Sequence, residues 1–479
     1  MSEIAIQPSQ ATQPHSGPDQ KAQVPQPSLK PLTLRSALLS SATAIASFHV
    51  AYATPYLAVF TLVYVFALLQ LMRARTGRQS FYLSLAVGML IAAPQLSFMW
   101  NLFGPPAIAL WLVLALWTAL FVTLGRFALL KCGPLWGALL LPFLWTGLEY
   151  FRSELYYLRF SWLNIGYAFS ASEYAKILNL FGMYGIGFIT VAIVGGVWLL
   201  GLKRGIIIVG AVLLVFFWYL MGPTAKIKPI KTVPVAGVQL EFPAEHEVIS
   251  ALDKLIETKP ETQIIVLCEY AFLSPIPDKL KAWCKEHERY LVAGGKDPLP
   301  SGDFYDTAFV VGTNGDIVFK QGKSVPVQFL KDGLPAKEQK LWESPWGKIG
   351  ICICYDLSYT RVTDRLARLG AQAMIVPTMD VVEWGKHQHE LHARVARIRA
   401  AEYGIPIFRV ASSDISQLVD RSGFEQASAG FPGQNEMLSG KMFINQPGSL
   451  PVDRWLGPGS VGVSGLIILF LVARRVLSL

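Results

Sequence analysis

Charge is what this sequence lacks. Asp, Glu, Lys and Arg make up 16% of its 479 residues, against about 25% in an ordinary soluble domain. The shortage is uneven: residues 36–221 are a near-continuous series of apolar runs, whereas 233–440 read as a soluble domain mixing β-like and α-like segments. Cysteine is scarce too. The five, Cys132, Cys268, Cys284, Cys352 and Cys354, are odd in number and fall at no zinc-ligand or disulfide-framework spacing, so neither a metal site nor a stapled scaffold is expected. Residues 1–35 have almost no large apolar side chains and are rich in Gln, Pro and Ser. Such a segment cannot offset its ordering entropy and reads as a disordered cytoplasmic tail. No apolar stretch follows closely enough for a signal peptide.

The net charge is +9, but the basic residues form no stripe interleaved with aromatics, so nucleic acid is not an expected partner. They gather instead beside the apolar runs, which lie near 36–53, 55–72, 80–100, 105–125, 134–151, 179–200, 205–221 and 459–473. Most approach the ~20 residues that cross a bilayer as helix. Arg73, Arg75 and Arg78 follow the second run, Arg126 and Lys131 the fourth, Lys203 and Arg204 the sixth, and Arg474 and Arg475 the last. Inner loops carry the basic residues. The expectation is a membrane bundle of about seven helices over 36–221, an outward domain over 222–458, and a C-terminal transmembrane helix with a short basic tail over 459–479. Arg152 and Arg159, on the outer loop 152–178, run against the pattern.

Within the outward domain, VPVAGVQL (233–240), IIVLCE (264–269), YLVAGGK (290–296), TAFVVG (307–312), GKIGICICY (347–355) and AMIVPT (373–378) read as strands. Ser250–Thr258, Pro277–His287, Thr363–Leu369 and His387–Tyr403 read as helices. That mixture implies a layered α/β domain. Three polar residues close apolar strands: Glu269, Lys323 and Cys354. A thiolate is the reactive form of Cys and needs a base or a nearby cation. Glu269 suits the base, and Lys323 suits an oxyanion partner. Strand alternation alone leaves Cys352 beside Cys354; Lys320 likewise stands beside Lys323. Alone, each of these residues is more often a turn or cap than a catalyst.

At these residues the sequence resembles the nitrilase superfamily, and in particular its membrane branch, the apolipoprotein N-acyltransferases. The resemblance runs through IIVLCEYA, FYDTAFVVGTNGDIV, IGICICYD, LGAQAMIVPTMD and the 384–416 segment, with LPFLWTGLEYFR (141–152) and RFSWLNIGYA (159–168) in the apolar half. It implies a multi-pass α-helical membrane bundle plus a nitrilase-type α-β-β-α sandwich. It selects the Cys354–Tyr355 pair over Cys352, makes Glu269 the base, and favours Lys323 over Lys320 by strand position. Tyr355, Asp356 and Trp384 are the expected substrate-binding residues; His387 and His389 suggest a structural role. Glu149 and Arg152 are expected to pair with each other or with lipid headgroups.

The implied reaction moves an acyl chain from a phospholipid, through a Cys thioester, to the N-terminal amine of a diacylglyceryl-cysteine lipoprotein. No cofactor or metal is expected. The setting would be the bacterial cytoplasmic (inner) membrane with the catalytic domain outside, and the chain a monomer. Two departures bear on the acceptor: KQGKSVPVQFL replaces the family's Lys-Leu-Val-Pro-Phe-Gly-Glu stretch, so the loop Glu is missing, and Asp356 stands for a Glu. A membrane-tethered carbon–nitrogen hydrolase, an acyltransferase for another amine, and a non-enzymatic scaffold are the rival expectations.

Overall fold

The computed structural model describes residues 31–221, 229–413, 415–433 and 436–476; residues 1–30 of the tail expected over 1–35 and the join at 222–228 lie outside them, and helix already begins at Leu34. Eight helices come first: α1 Leu34–Ala53, α2 Phe60–Leu71, α3 Gly77–Gln95, α4 Phe98–Phe103, α5 Ala107–Cys132, α6 Pro134–Tyr150, α7 Ala175–Leu200 and α8 Leu202–Met221. A last helix, α13 Asp453–Val476, closes the described chain. Each of the eight apolar runs thus holds a helix. Among the described residues, three stretches are long and apolar enough to cross a membrane: Ala107–Cys132, Ser172–Leu200 and Asp453–Arg474. At 1.5 Å per residue, the 12 residues of α2 fall short of a ~30 Å hydrocarbon core.

Between α8 and α13 stand two six-stranded sheets. The strands are β1 Lys231–Val238, β2 Ile264–Val266, β3 Tyr290–Pro298, β4 Phe304–Val311, β5 Ile317–Gly322, β6 Leu341–Ser344, β7 Gly347–Ile351, β8 Ala373–Thr378, β9 Ile407–Ala411, β10 Ser416–Val419, β11 Glu425–Ala429 and β12 Met437–Ile444. Helices α9 Glu245–Thr258, α10 Asp278–His287, α11 Thr360–Leu369 and α12 Lys386–Tyr403 complete the domain. The sheets run β12-β1-β2-β3-β4-β5 and β11-β10-β9-β8-β7-β6, with parallel centres and antiparallel edges.

Burial on both faces explains why the central strands read as unbroken apolar runs. Ile264 and Val266 face the core between the sheets, where they meet Ile351, Ile375 and Val410. Ile265 faces the other way, with Leu252 of α9 and Leu280 of α10. Each such side chain contributes roughly 1.5–3 kcal/mol by leaving water. The outer face of the second sheet carries α11 and α12, and their core is continuous with that of the apolar helices. The layers are therefore α-β-β-α, with the helical bundle packed on the α11–α12 side.

One glycine makes the junction. Gly182 interrupts α7 with φ +72, a conformation that disfavours any Cβ, and a Cβ there would lie 2.2 Å from the Asp453 carboxyl. The break frees two N–H groups: Met183 donates to Glu402 at 2.7 Å and Tyr184 to Asp453 at 2.9 Å. Arg454 then pairs with Asp364, Asp453 and Glu402 at 2.7, 2.6 and 3.1 Å, and Arg399 with Glu402 at 2.6 Å. This buried network joins α7 and α13 to α11 and α12.

Candidate active site

The carboxyl ends of parallel strands are where open α/β sheets present ligand-binding groups, and the polar residues of interest collect there. Strand β2 stops at Val266, three residues before Glu269; the chain turns at Tyr270, which has φ +51. Gly294 on β3 permits this approach, since a Cβ would lie 2.5 Å from the Glu269 Cα. Lys323 follows β5 directly, and its N–H donates to the Asp306 carbonyl at 2.8 Å. Strand β7 stops at Ile351, and Cys354 opens a 3-10 turn over Cys354–Ser358 with φ +49. A non-glycine residue there costs about 1–3 kcal/mol and persists only where its surroundings enforce it.

Asp356 supplies that enforcement. Its buried carboxylate accepts N–H groups from Ile353 at 3.2 Å, Ser324 at 3.0 Å and Val325 at 2.7 Å. The turn carrying Cys354 is thereby tied to the segment carrying Lys323. Burial raises the Asp356 carboxyl to about 6, while Lys323 and the three N–H groups oppose the rise. Asp356 does not line the cavity; Tyr355 and Trp384 do.

Lys323 Nζ lies 2.6 Å from Glu269, 2.7 Å from Asp332 and 3.6 Å from Asp306, all buried. Burial alone would lower the Lys323 pKa, but the carboxylates hold it well above its ordinary value. Burial, first, and the Glu269 charge also raise the Asp306 carboxyl well above the carboxylate range, and Lys323 opposes them. The second Glu269 oxygen accepts the Met379 N–H at 2.7 Å. Lys320, by contrast, is 46% exposed and pairs with Asp297.

Cys354 Sγ faces the Met379 carbonyl at 3.7 Å. Burial and the Glu269 charge raise its thiol well above the usual range, and Lys323 only partly opposes them, so the resting thiol is protonated. Cys352 is wholly buried and lies outside the cavity lining.

Sequence reasoning missed Asp332, Asp306, Asp380 and His392. Asp332 accepts the Tyr270 hydroxyl at 2.9 Å and the Val327 N–H at 2.6 Å. It thus puts an acid beside the lysine although positions 327–329 hold none. Asp380 accepts from His392 Nδ1 at 2.6 Å, Arg409 at 2.6 Å and Gln388 at 2.9 Å, which anchors the segment bearing Met379. Asp380 had a signal, since like Glu269 it follows a buried apolar strand. His387 bonds Gln95 of α3 at 3.0 Å, and His389 the Val381 carbonyl at 3.1 Å. Glu149 accepts the Ile165 N–H at 3.1 Å, and Arg152 donates to Asn164.

Among the described residues, two donor clusters are tight enough to hold a metal: Glu269–Asp306–Asp332 and Cys354–Asp380–His392, each with its atoms within 4.8 Å. A cation already sits in both, Lys323 in the first and Arg409 in the second, which suits hydrogen-bonded networks better than an ion.

The cavity over Cys354 measures about 570 Å³. Its walls come from both halves of the molecule: Phe98, Met99 and Leu114 from the helical half, Phe329 and Trp384 from the sheet domain. Phe103 packs edge-on against Phe329 at 6.1 Å, and Asn101 donates to the Glu383 carbonyl at 3.2 Å.

Two paired sheets presenting a Cys, a Glu and a Lys, carried on apolar helices that share the cavity, define a nitrilase-type enzyme with a membrane domain. The family models agree in both halves. Residues 40–196 match the apolipoprotein N-acyltransferase N-terminal domain, and 256–428 match carbon-nitrogen hydrolase. The chain belongs to the apolipoprotein N-acyltransferase family of the nitrilase superfamily. It is similar to the apolipoprotein N-acyltransferase of Rickettsia prowazekii (26% identity over 72% of this chain and 76% of the relative). It is also similar to that of Shewanella oneidensis (24% identity over 67% and 72%). The mouse omega-amidase NIT2 matches at 25% identity over 25% of this chain and 47% of its own length. Among solved structures, Nit3 of Saccharomyces cerevisiae aligns with a TM-score of 0.39 and 22% identity, covering 46% of this chain and 93% of that one.

Proposed function

We propose that Cys354, Glu269 and Lys323 form the catalytic triad of a lipoprotein N-acyltransferase. Cys354 Sγ attacks the sn-1 ester carbonyl of a phospholipid as Glu269 takes the thiol proton, a coupled step that suits a thiol held protonated by burial. Lys323 neutralises the oxyanion of the tetrahedral intermediate. The ester C–O bond then breaks, Glu269 returns the proton to the leaving hydroxyl, and a lysophospholipid departs from the thioester. The α-amine of a diacylglyceryl-cysteine attacks next, Glu269 takes its proton and delivers it to sulfur, and the amide is released. Asp356 positions the nucleophile turn, Asp332 holds Lys323, and Tyr355 and Trp384 border the substrate.

The observation that carries this reading is the shared cavity. A thiol beside a Glu–Lys pair opens into apolar space walled by both the helical half and the sheet domain. Lipid substrates need such a site, and a thioester needs protection from water. The charge placement supports an inner-membrane protein with 222–458 outside and more spans than the three longest helices, α8 included. Asp332 weakens the rival hydrolase reading, because the acid missing after Pro326 is restored from elsewhere.

Purified full-length protein in detergent, given acyl-labelled phospholipid, tests the proposal. A hydroxylamine-sensitive adduct on Cys354, discharged by a diacylglyceryl-cysteine peptide faster than by water, is expected. An adduct that water discharges equally fast would favour a hydrolase.

A further inference from the structure

The cavity has a cation that the triad does not use. Three basic residues of the Lys and Arg type line it: Lys323, Lys331 and Arg159. Lys323 is surrounded by carboxylates, and Lys331 is exposed. Arg159 is only half-buried, has no ion-pair partner among the described residues, and its Nε is buried without a hydrogen-bond acceptor. An orphaned buried donor of this kind costs about 1–3 kcal/mol, which an acceptor oxygen entering the cavity would offset.

Its position is fixed. The hydroxyls of Tyr355 and Tyr359 both donate to the Arg159 carbonyl at 3.3 Å, one of them from the residue next to Cys354. The guanidinium lies 5.9 Å from the centre of the Tyr359 ring, and that of Arg361 lies 5.8 Å from the same ring. Burial and the Arg159 charge lower the Arg361 pKa. Neither guanidinium has an ion-pair partner among the described residues, and a guanidinium matches a phosphate well.

We propose that Arg159, backed by Arg361, is the subsite for the phosphate of the phospholipid acyl donor. This rests on the proposed function, because that reading supplies a phosphodiester bound close to the reacting ester. The subsite holds the headgroup at the lip while the ester reaches Cys354.

The test uses full-length protein in mixed micelles with two acyl donors, a phosphatidylglycerol and p-nitrophenyl palmitate, which has no phosphate. Acylation of Cys354 is followed for both. In Arg159→Gln the phospholipid-to-ester KM ratio is expected to rise at least about tenfold, the worth of a charge-assisted hydrogen bond, with kcat on the phospholipid within about threefold. Arg159→Lys should recover part of the loss, and Arg361→Gln should show a smaller rise. Equal KM changes for the two donors, or none, would overturn the subsite. Inorganic phosphate distinguishes the sources: weak competition against the phospholipid supports a lipid phosphate, and binding tighter than the phospholipid's would overturn it in favour of free phosphate. If neither donor acylates Cys354, the triad reading fails. If the ester acylates and the ratio does not move, only the subsite fails.

Discussion

Two buried charge networks, one at the strand ends and one where α11 and α12 meet α7 and α13, look alike on paper. One is Lys323 with Glu269, Asp306 and Asp332; the other is Arg399 and Arg454 with Glu402, Asp364 and Asp453. Both are removed from water. The second is closed on itself: its spare acceptors take the N–H groups of a broken helix, and Arg399 donates to the carbonyls of Leu357 and Ser358 at 3.1 and 2.7 Å. The first borders a cavity and a thiol. Buried charge alone therefore does not single out a candidate site here; buried charge beside accessible space and a thiol does.

Substitutions should separate the two networks. Cys354→Ala is expected to abolish the acyl adduct, a loss on the order of 10⁴-fold or more, whereas Cys352→Ala keeps it; mass spectrometry of the labelled peptide decides between them. On the closed network, Glu402→Gln leaves Arg399 and Arg454 short of their shared carboxylate and should cost about 3–5 kcal/mol, read as thermal unfolding in detergent.

The same group sets a pH dependence. Burial would raise the Glu402 pKa, but Arg454 and Arg399 overturn that and hold it at about 2, against 4.5 ordinarily. A depressed carboxylate stabilises the fold above its unfolded pKa. That share of stability is present above pH 4.5 and is lost as the pH falls toward 2; the Gln variant should show a flatter acid limb. Gly182→Ala forces φ +72 on a Cβ aimed at Asp453 and should cost at least about 1–2 kcal/mol. Lys320→Ala, which removes a surface pair, should change stability by no more than about 1 kcal/mol and leave acylation intact; a large loss there would reopen the choice of lysine.

How much was legible follows from what each residue's neighbours are. The central strands β1, β2, β3, β7 and β8 read clearly because both faces are buried, and Glu269 and Cys354 read as polar ends of such strands. The strands β6, β9, β10, β11 and β12 went unread; short, mixed segments such as LWES and EQASA carry too little apolar pattern, and IFRVA has a charge inside it. Asp332 was invisible because it reaches Lys323 from a loop nine positions on, with no periodicity to announce it. Asp306 left a trace, an acid inside the apolar strand FYDTAFVV. The Arg399–Glu402–Arg454 network was hidden for another reason. Charges three apart on a helix ordinarily face solvent, and only the packing of α7 and α13 over α12 buries these.

Glutamate-to-glutamine exchange in each network offers the most direct test. Glu269→Gln and Glu402→Gln are made in full-length protein, and the rate of adduct formation per folded molecule is measured beside the unfolding midpoint. Glu269→Gln should slow acylation by about 10²–10⁴-fold, as loss of a general base does, with the smaller shift in midpoint because Lys323 keeps Asp332. Glu402→Gln should lower the midpoint while its folded fraction acylates within about tenfold of the parent. Acylation at the parental rate in Glu269→Gln would contradict the account.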